Sequence, residues 1–267
     1  VYFKREDLHP YGSHKGRSLP HLIDEKIASG CRHFAISSSG NAALAAGLYV
    51  KELNEKGKDI TLEILAGKNI NSNKLKKLET IKDSHILLSL NDRPLQTLFM
   101  KIQDPSIQSL RQSNDESALV GYTELADELL KIPKLAAVFI GTSSGTTAQA
   151  LAELFPTGKH SVEVHIVQTS SCHPIADHFV ENFSSEEKSI ADAIVDTTAF
   201  RKGAVLGSVA GGWIATNEHI KAAQDIAERT TGLTISTNSA LSIAGLMQAV
   251  YTGREFDGAI ACMICGD

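Results

Sequence analysis

Short runs of apolar and β-branched residues alternate along this chain with longer segments whose apolar positions recur at helical spacing. That alternation is the mark of parallel strands covered on both faces by helices, and it predicts an α/β fold of open, twisted parallel sheets. The apolar runs predict strands near residues 1–4, 32–36, 60–65, 84–89, 117–120, 135–140, 162–168 and 258–264. The helical spacing predicts helices over 15–29, 41–56, 71–81, 92–102, 122–131, 144–155, 173–181, 217–231 and 239–252. Ser72 or Asn73 ahead of Lys74-Leu75, and Thr216 ahead of Asn217-Glu218, supply N-cap chemistry for two of these. The polar stretches Gln103–Glu116 and Phe183–Lys188 read as solvated loops or lobe crossings. Residues of about 40–120 are expected to form a smaller lobe, inserted into a larger one made of 1–39 and 121–267, the whole of 1–267 acting as one unit.

Composition narrows the class. A chain of 267 residues with 42% hydrophobic and 21% charged residues can bury a large core and has little room for long disordered tracts. A net charge of −5 offers no basic footprint for nucleic acid. No apolar run reaches the length of a membrane span, and the first residues lack the pattern of a secretory signal, so a cytoplasmic location is the default expectation. The four cysteines, Cys31, Cys172, Cys262 and Cys265, are too scattered for a disulfide framework. Cys262 and Cys265 form a C-x-x-C string inside an apparent buried strand, where residues three apart face opposite ways. That spacing argues against a metal or dithiol site, and no metal is expected.

Four segments concentrate the chemistry. Lys15 lies in Gly12-Ser13-His14-Lys15-Gly16-Arg17, between a glycine turn and the start of a helix, where an amine can be held still and presented to an aldehyde. The plain alternative is a solvated surface lysine. Ser37-Ser38-Ser39-Gly40-Asn41 follows a strand and opens a helix, so its hydroxyls and unbonded N–H groups suit a carboxylate; a serine-rich N-cap is the alternative. Gly141-Thr142-Ser143-Ser144-Gly145-Thr146-Thr147 repeats that arrangement with more glycine. It can cradle a phosphate dianion, carries no Walker lysine, and otherwise reads as a structural turn. Cys265-Gly266-Asp267 ends the last strand, at the edge where open parallel sheets collect ligands, and Cys265 is either a ligand-facing or a core thiol.

Together and in this order, the four resemble the pyridoxal-phosphate enzymes of the tryptophan-synthase β-like fold, fold type II, over nearly the whole chain. The resemblance implies two lobes with pyridoxal 5'-phosphate between them. It implies Lys15 as the Schiff-base lysine and catalytic base, and Asn41 at the phenolic oxygen of the cofactor. Ser38, Ser39, Gly40 and Asn41 would bind the substrate carboxylate. Gly141, Thr142, Ser143, Ser144, Gly145 and Thr146 would bind the cofactor phosphate, with Cys265 at the pyridine nitrogen. A thiol cannot hold that nitrogen protonated as an aspartate would, so the ring is a weaker electron sink and eliminations or replacements at the β or γ carbon are favoured over transamination.

Val167 through Ile175, Ser189 through Ile194, and Gly211-Gly212-Trp213 through Leu246 look most like threonine synthases, which implies conversion of O-phosphohomoserine to threonine and phosphate. Two features depart from that group. Ser236-Thr237-Asn238-Ser239-Ala240 stands where Glu-Pro-x-Ser-Ala is common, and Cys265-Gly266 is more like the serine and threonine dehydratases. A dehydratase or a cysteine-synthase-like β-replacement is therefore the alternative reaction. A non-catalytic partner or sensor that keeps the fold, and a phosphate-binding protein without pyridoxal, are the alternatives of other classes. The resemblance also implies a small amino-acid substrate and a homodimer. The motifs run from the first residues to the last, whereas relatives carry further residues at both ends, so this is either a minimal member or one lacking its flanks.

Overall fold

The computed structural model describes residues 1–158 and 161–266. The chain divides into two compact units, one of Val1–Leu8 with Tyr122–Asp267 and one of His9–Gly121. It opens with β1 (Tyr2–Arg5), which belongs to the first of these.

The His9–Gly121 unit follows. Its elements are α1 (Lys15–Ala28), β2 (His33–Ser37), α2 (Asn41–Glu55), β3 (Thr61–Gly67), α3 (Ser72–Glu79), β4 (Ile86–Asn91), α4 (Pro94–Lys101), β5 (Ile107–Ser109) and the short α5 (Ser117–Val120). The four strands form a parallel sheet in the order β4-β3-β2-β5. Alternation along β2 covers both faces. Phe34 and Ile36 join Leu19, Leu22 and Ile23 of α1 and Ala43, Ala46 and Val50 of α2, while Ala35 points the other way with Leu65 onto Leu98 of α4.

The other unit continues with α6 (Thr123–Leu130), β6 (Leu135–Gly141), α7 (Thr146–Leu154), β7 (Glu163–Thr169), α8 (Lys202–Ser208), β8 (Gly211–Ala215), α9 (Asn217–Thr231), α10 (Thr237–Tyr251) and β9 (Ala259–Ile264). Its five strands are parallel in the order β1-β9-β6-β7-β8. One face carries α9 and α10 over Phe139, Val167 and Cys262, and the opposite side of β7 carries α7. Among the described residues, no helix is long and apolar enough to cross a membrane.

Several expectations need correction. The unit boundary falls at His9 rather than near 40, because β2 lies inside the four-stranded sheet, hydrogen-bonded on both sides. Residues 117–120 are helical, not a strand: Asp115 accepts from the N–H and the hydroxyl of Ser117, starting a turn of helix. The 103–116 stretch contains β5 and a 3-10 turn at Gln112–Asn114. The helix expected over 173–181 is only a 3-10 turn, Ala176–His178, because the N–H groups of Ile175 and Ala176 bond the side chain of Gln168 instead of backbone carbonyls. Two further elements, β8 and α8, were not predicted. The two glycines that open β8 lower its strand propensity, but the Phe179 ring and the His165 ring lie where their Cβ atoms would be.

Candidate functional site

Lys15 is the first residue of α1 and is half-buried. The turn before it closes by the Gly12 N–H donating to the His9 carbonyl at 2.8 Å, with Gly12 at φ +79°. A Cβ on Gly12 would lie 3.1 Å from Cδ2 of Leu44, so the turn rests on the first turn of α2. The Lys15 N–H donates to Oγ of the fully buried Ser13 at 3.3 Å. On the other side, Nδ1 of His9 accepts the Tyr11 N–H at 3.2 Å, and its ring stands where a Cβ on Gly16 would be. The backbone carrying the lysine is thus fixed from both sides.

The serine loop leaves β2 in the same unit. Ser38 donates its N–H to the Leu65 carbonyl at 3.2 Å, and its Oγ accepts the Gly40 N–H at 3.3 Å. Asn41 begins the fifteen-residue α2, whose N-cap, Gly40, has no capping side chain, so the first N–H groups of the helix remain available to an anion. A cavity of about 340 Å³ opens at this edge, lined by Ser39, Gly67, Lys68, Asn69, Ile70 and Asp92. Lys68 and Asp92 pair there at 2.7 Å, both well exposed, so the pair adds little stability.

Gly141, Thr142, Ser143, Ser144, Gly145 and Thr146 belong to the other unit, at the carboxyl end of β6. A Cβ on Gly141 would meet Cβ of Leu241 at 2.9 Å, so the turn's backbone lies directly against α10. The Thr142 N–H donates to the Val167 carbonyl at 3.0 Å, and Thr142 Oγ1 accepts the Gly145 N–H at 3.0 Å. Gly145 adopts φ +85°, and a side chain there would strike Cγ2 of Val205 at 2.5 Å. Thr146 starts α7, again without a capping side chain, and its hydroxyl shares a 3.0 Å hydrogen bond with that of Ser144. This is a tight, glycine-shaped turn feeding an uncapped helix, and its form suits a phosphate.

Ser143 differs from its neighbours. Its hydroxyl accepts the N–H groups of Val195 and Asp196 at 3.1 and 3.0 Å and donates to the Asp196 carboxylate at 3.1 Å. Its side chain is therefore committed to that segment, and a ligand would meet only its backbone. The fully buried Gln168 also holds the turn, its Nε2 donating to the Ser143 carbonyl at 3.1 Å.

Cys265, buried, follows β9, and its Sγ lies 3.7 Å from the Met263 carbonyl as a weak donor. The next peptide is anchored by two hydroxyls: Ser236 and Ser239, at the head of α10, donate to the Gly266 carbonyl at 2.7 and 3.2 Å. Asp267 lies outside the described residues. Burial pushes the Cys262 thiol up to about 12, which marks it as a core residue. Burial, and then the charge of Asp196, push Cys172 up as well. Lys15 and Ser38–Asn41 thus belong to one compact unit, and Gly141–Thr146 and Cys265 to the other. The roles of Gln168 and Asp196, and the bonds of Ser236 and Ser239 to the Gly266 carbonyl, escaped the sequence reading. Gln168 left a signal there as an amide continuing the apolar strand Val162-Glu163-Val164-His165-Ile166-Val167, and Ser236 and Ser239 left one as the altered segment Ser236–Ala240.

A family model described as "Pyridoxal-phosphate dependent enzyme" matches residues 1–266. Threonine synthase of Mycobacterium leprae (strain TN) is 25% identical over 291 residues, which cover 100% of this chain and 76% of that protein. The human "Serine dehydratase-like" protein is 42% identical, but over 53 residues that make up 20% of this chain and 16% of its own length. Among solved structures, a pyridoxal 5'-phosphate-dependent aspartate racemase has a TM-score of 0.82 at 18% identity, covering 99% of this chain and 82% of that one. The processed form of threonine deaminase isoform 2 from Solanum lycopersicum reaches 0.80 at 17% identity, covering 99% and 74%. At these identities the structural likeness establishes the fold.

Proposed function

The chain belongs to the pyridoxal-phosphate dependent enzymes, and from that premise we propose that it is a lyase acting at the β or γ carbon of an amino acid, of the threonine-synthase type. The observation that carries this reading is Lys15, heading α1 on a backbone fixed by Ser13, His9 and Gly12, in a chain alignable over its full length with a threonine synthase. Bound, the cofactor supplies an electrophilic carbon for the substrate amine and a ring that draws electrons from the α-carbon. The residues fit it: the turn Gly141–Thr147, with its left-handed Gly145 and the uncapped α7 behind it, suits its phosphate. Lys15 would hold the cofactor, and its amine would take and return the proton at the substrate α-carbon. Ser38, Ser39 and Gly40 would orient the substrate carboxylate at the head of α2, where Gly40 leaves the helix uncapped, and the Asn41 amide would donate to the ring oxygen. Cys265 offers the ring nitrogen a neutral partner, which favours elimination and replacement.

A serine or threonine dehydratase is the second reading, favoured by the local likeness to the serine dehydratase-like protein and by Cys265-Gly266. Purified protein is expected to show a visible cofactor band that borohydride reduces, and Lys15→Ala to lose both the reducible band and turnover by at least about 100-fold. A reducible band in Lys15→Ala rejects the lysine assignment. Release of threonine from O-phosphohomoserine, against keto acid from serine or threonine, separates the two reactions.

A further inference from the structure

Gln168 is fully buried near the end of β7, and its side chain hydrogen-bonds to backbone groups on both sides. Its Oε1 accepts the N–H groups of Ile175 and Ala176, both at 2.9 Å, and its Nε2 donates to the Ser143 carbonyl at 3.1 Å. The two acceptor bonds leave the amide no freedom to flip, so Nε2 must face the turn. The carbonyl of Ser143 and the N–H of Ser144 share one planar trans peptide and point in opposite directions. Drawing the carbonyl inward onto Gln168 therefore turns the Ser144 N–H outward. The Gly145 N–H cannot substitute for it, being bonded to Thr142 Oγ1. The Ser143 hydroxyl cannot either, being committed to Val195 and Asp196.

We propose that Gln168 is a positioning residue for the cofactor phosphate, setting the Ser143–Ser144 peptide so that the Ser144 N–H is a preformed anion donor. This rests on the reading of Gly141–Thr147 as the phosphate turn. A buried amide suits the task because it donates and accepts at once, whereas a carboxylate in its place would only accept and would repel the Ser143 carbonyl.

The test compares the affinities of pyridoxal 5'-phosphate and of pyridoxal, which lacks the phosphate, for wild type, Gln168→Glu and Gln168→Met, followed by cofactor absorbance. Both substitutions are expected to weaken the phosphate ester by about tenfold or more while leaving pyridoxal within about twofold. If both ligands weaken together, Gln168 only supports the fold and the positioning role is overturned. If wild type binds the two ligands equally, the phosphate-turn reading itself fails and the proposal falls with it. A measurement on wild type covers the case in which the variants do not fold. On titration with inorganic phosphate, the backbone amide of Ser144 should shift more than that of Gly145 in nitrogen–proton correlation spectra, and an unmoved Ser144 amide overturns the proposal.

Discussion

The loop Ser37–Asn41 and the turn Gly141–Thr147 have the same plan, a buried parallel strand passing through hydroxyls and glycine into an uncapped helix, yet their surroundings are opposite. Around Gly40 there is open space, its φ is −127°, and the hydroxyl of Ser38 makes only a long 3.3 Å bond across the loop. Around Gly145 the chain is left-handed and packed on Val205 and Ile175, with Thr142 tying it from within and Gln168 from below. On the proposed function, the difference suits two kinds of ligand. A group that comes and goes with each turnover is served by a loop with room to adjust, and a resident group by a turn that needs no rearrangement to receive it.

The contrast is most open to attack at the two glycines. Gly145→Ala forces a non-glycine residue to positive φ and into the Val205 side chain, and should cost about 2 to 5 kcal/mol by denaturant unfolding. Gly40→Ala, with nothing within 4 Å, should stay within about 0.5 kcal/mol of wild type. Equal losses would mean the two turns are not differently built. The hydroxyls give a smaller version of the same experiment. Thr142→Val strands the N–H of Gly145 in a buried turn, at about 1 to 3 kcal/mol. Ser38→Ala removes one long bond from a half-buried loop and should change stability by less than about 0.5 kcal/mol while weakening substrate binding.

Acid provides the mildest probe. His165 is fully buried in β7, the strand that also bears Gln168, stacked on Phe139 at 4.6 Å and hydrogen-bonded to Glu163 at 2.9 Å. Burial is the main cause that lowers its pKa from 6.5. The unfolded chain therefore takes up the proton first, so the stability this residue contributes is complete above pH 6.5 and declines as the pH falls below it. Melting temperature followed downward through pH 6.5 should show that decline, and His165→Phe should flatten it. An unchanged slope in the variant would remove His165 from the account.

Strongly periodic segments were legible from the chain alone. The helix over 217–231 was predicted with the bounds it has, since its Thr216 capping box and apolar stripe are local signals. β6, β7 and β9 were equally clear as apolar runs. Some failures were local, as where Asp115 turns 117–120 into helix, and the others were decided by a distant partner. β5 is three residues long and exists because β2 offers it an edge, and the glycines of β8 are accommodated by the rings of Phe179 and His165. At the candidate site, a strand, a glycine turn and a helix start could be read residue by residue. The role of Ser143 could not, because its hydroxyl partner lies 53 residues away.

Sequence by itself determined the local chemistry: a lysine at a helix head, two strand–turn–helix sites with hydroxyls, a thiol in the last segment, and the order that ties them to one family. Those properties depend on backbone propensity and side-chain type within a few residues. Tertiary structure alone decided which polar groups remain free to meet a ligand. A hydroxyl or amide can be spent on any donor or acceptor the fold brings near it, as the half-buried Ser143 is on Asp196, and full burial obliges the pairing, as for Gln168 with the Ser143 carbonyl.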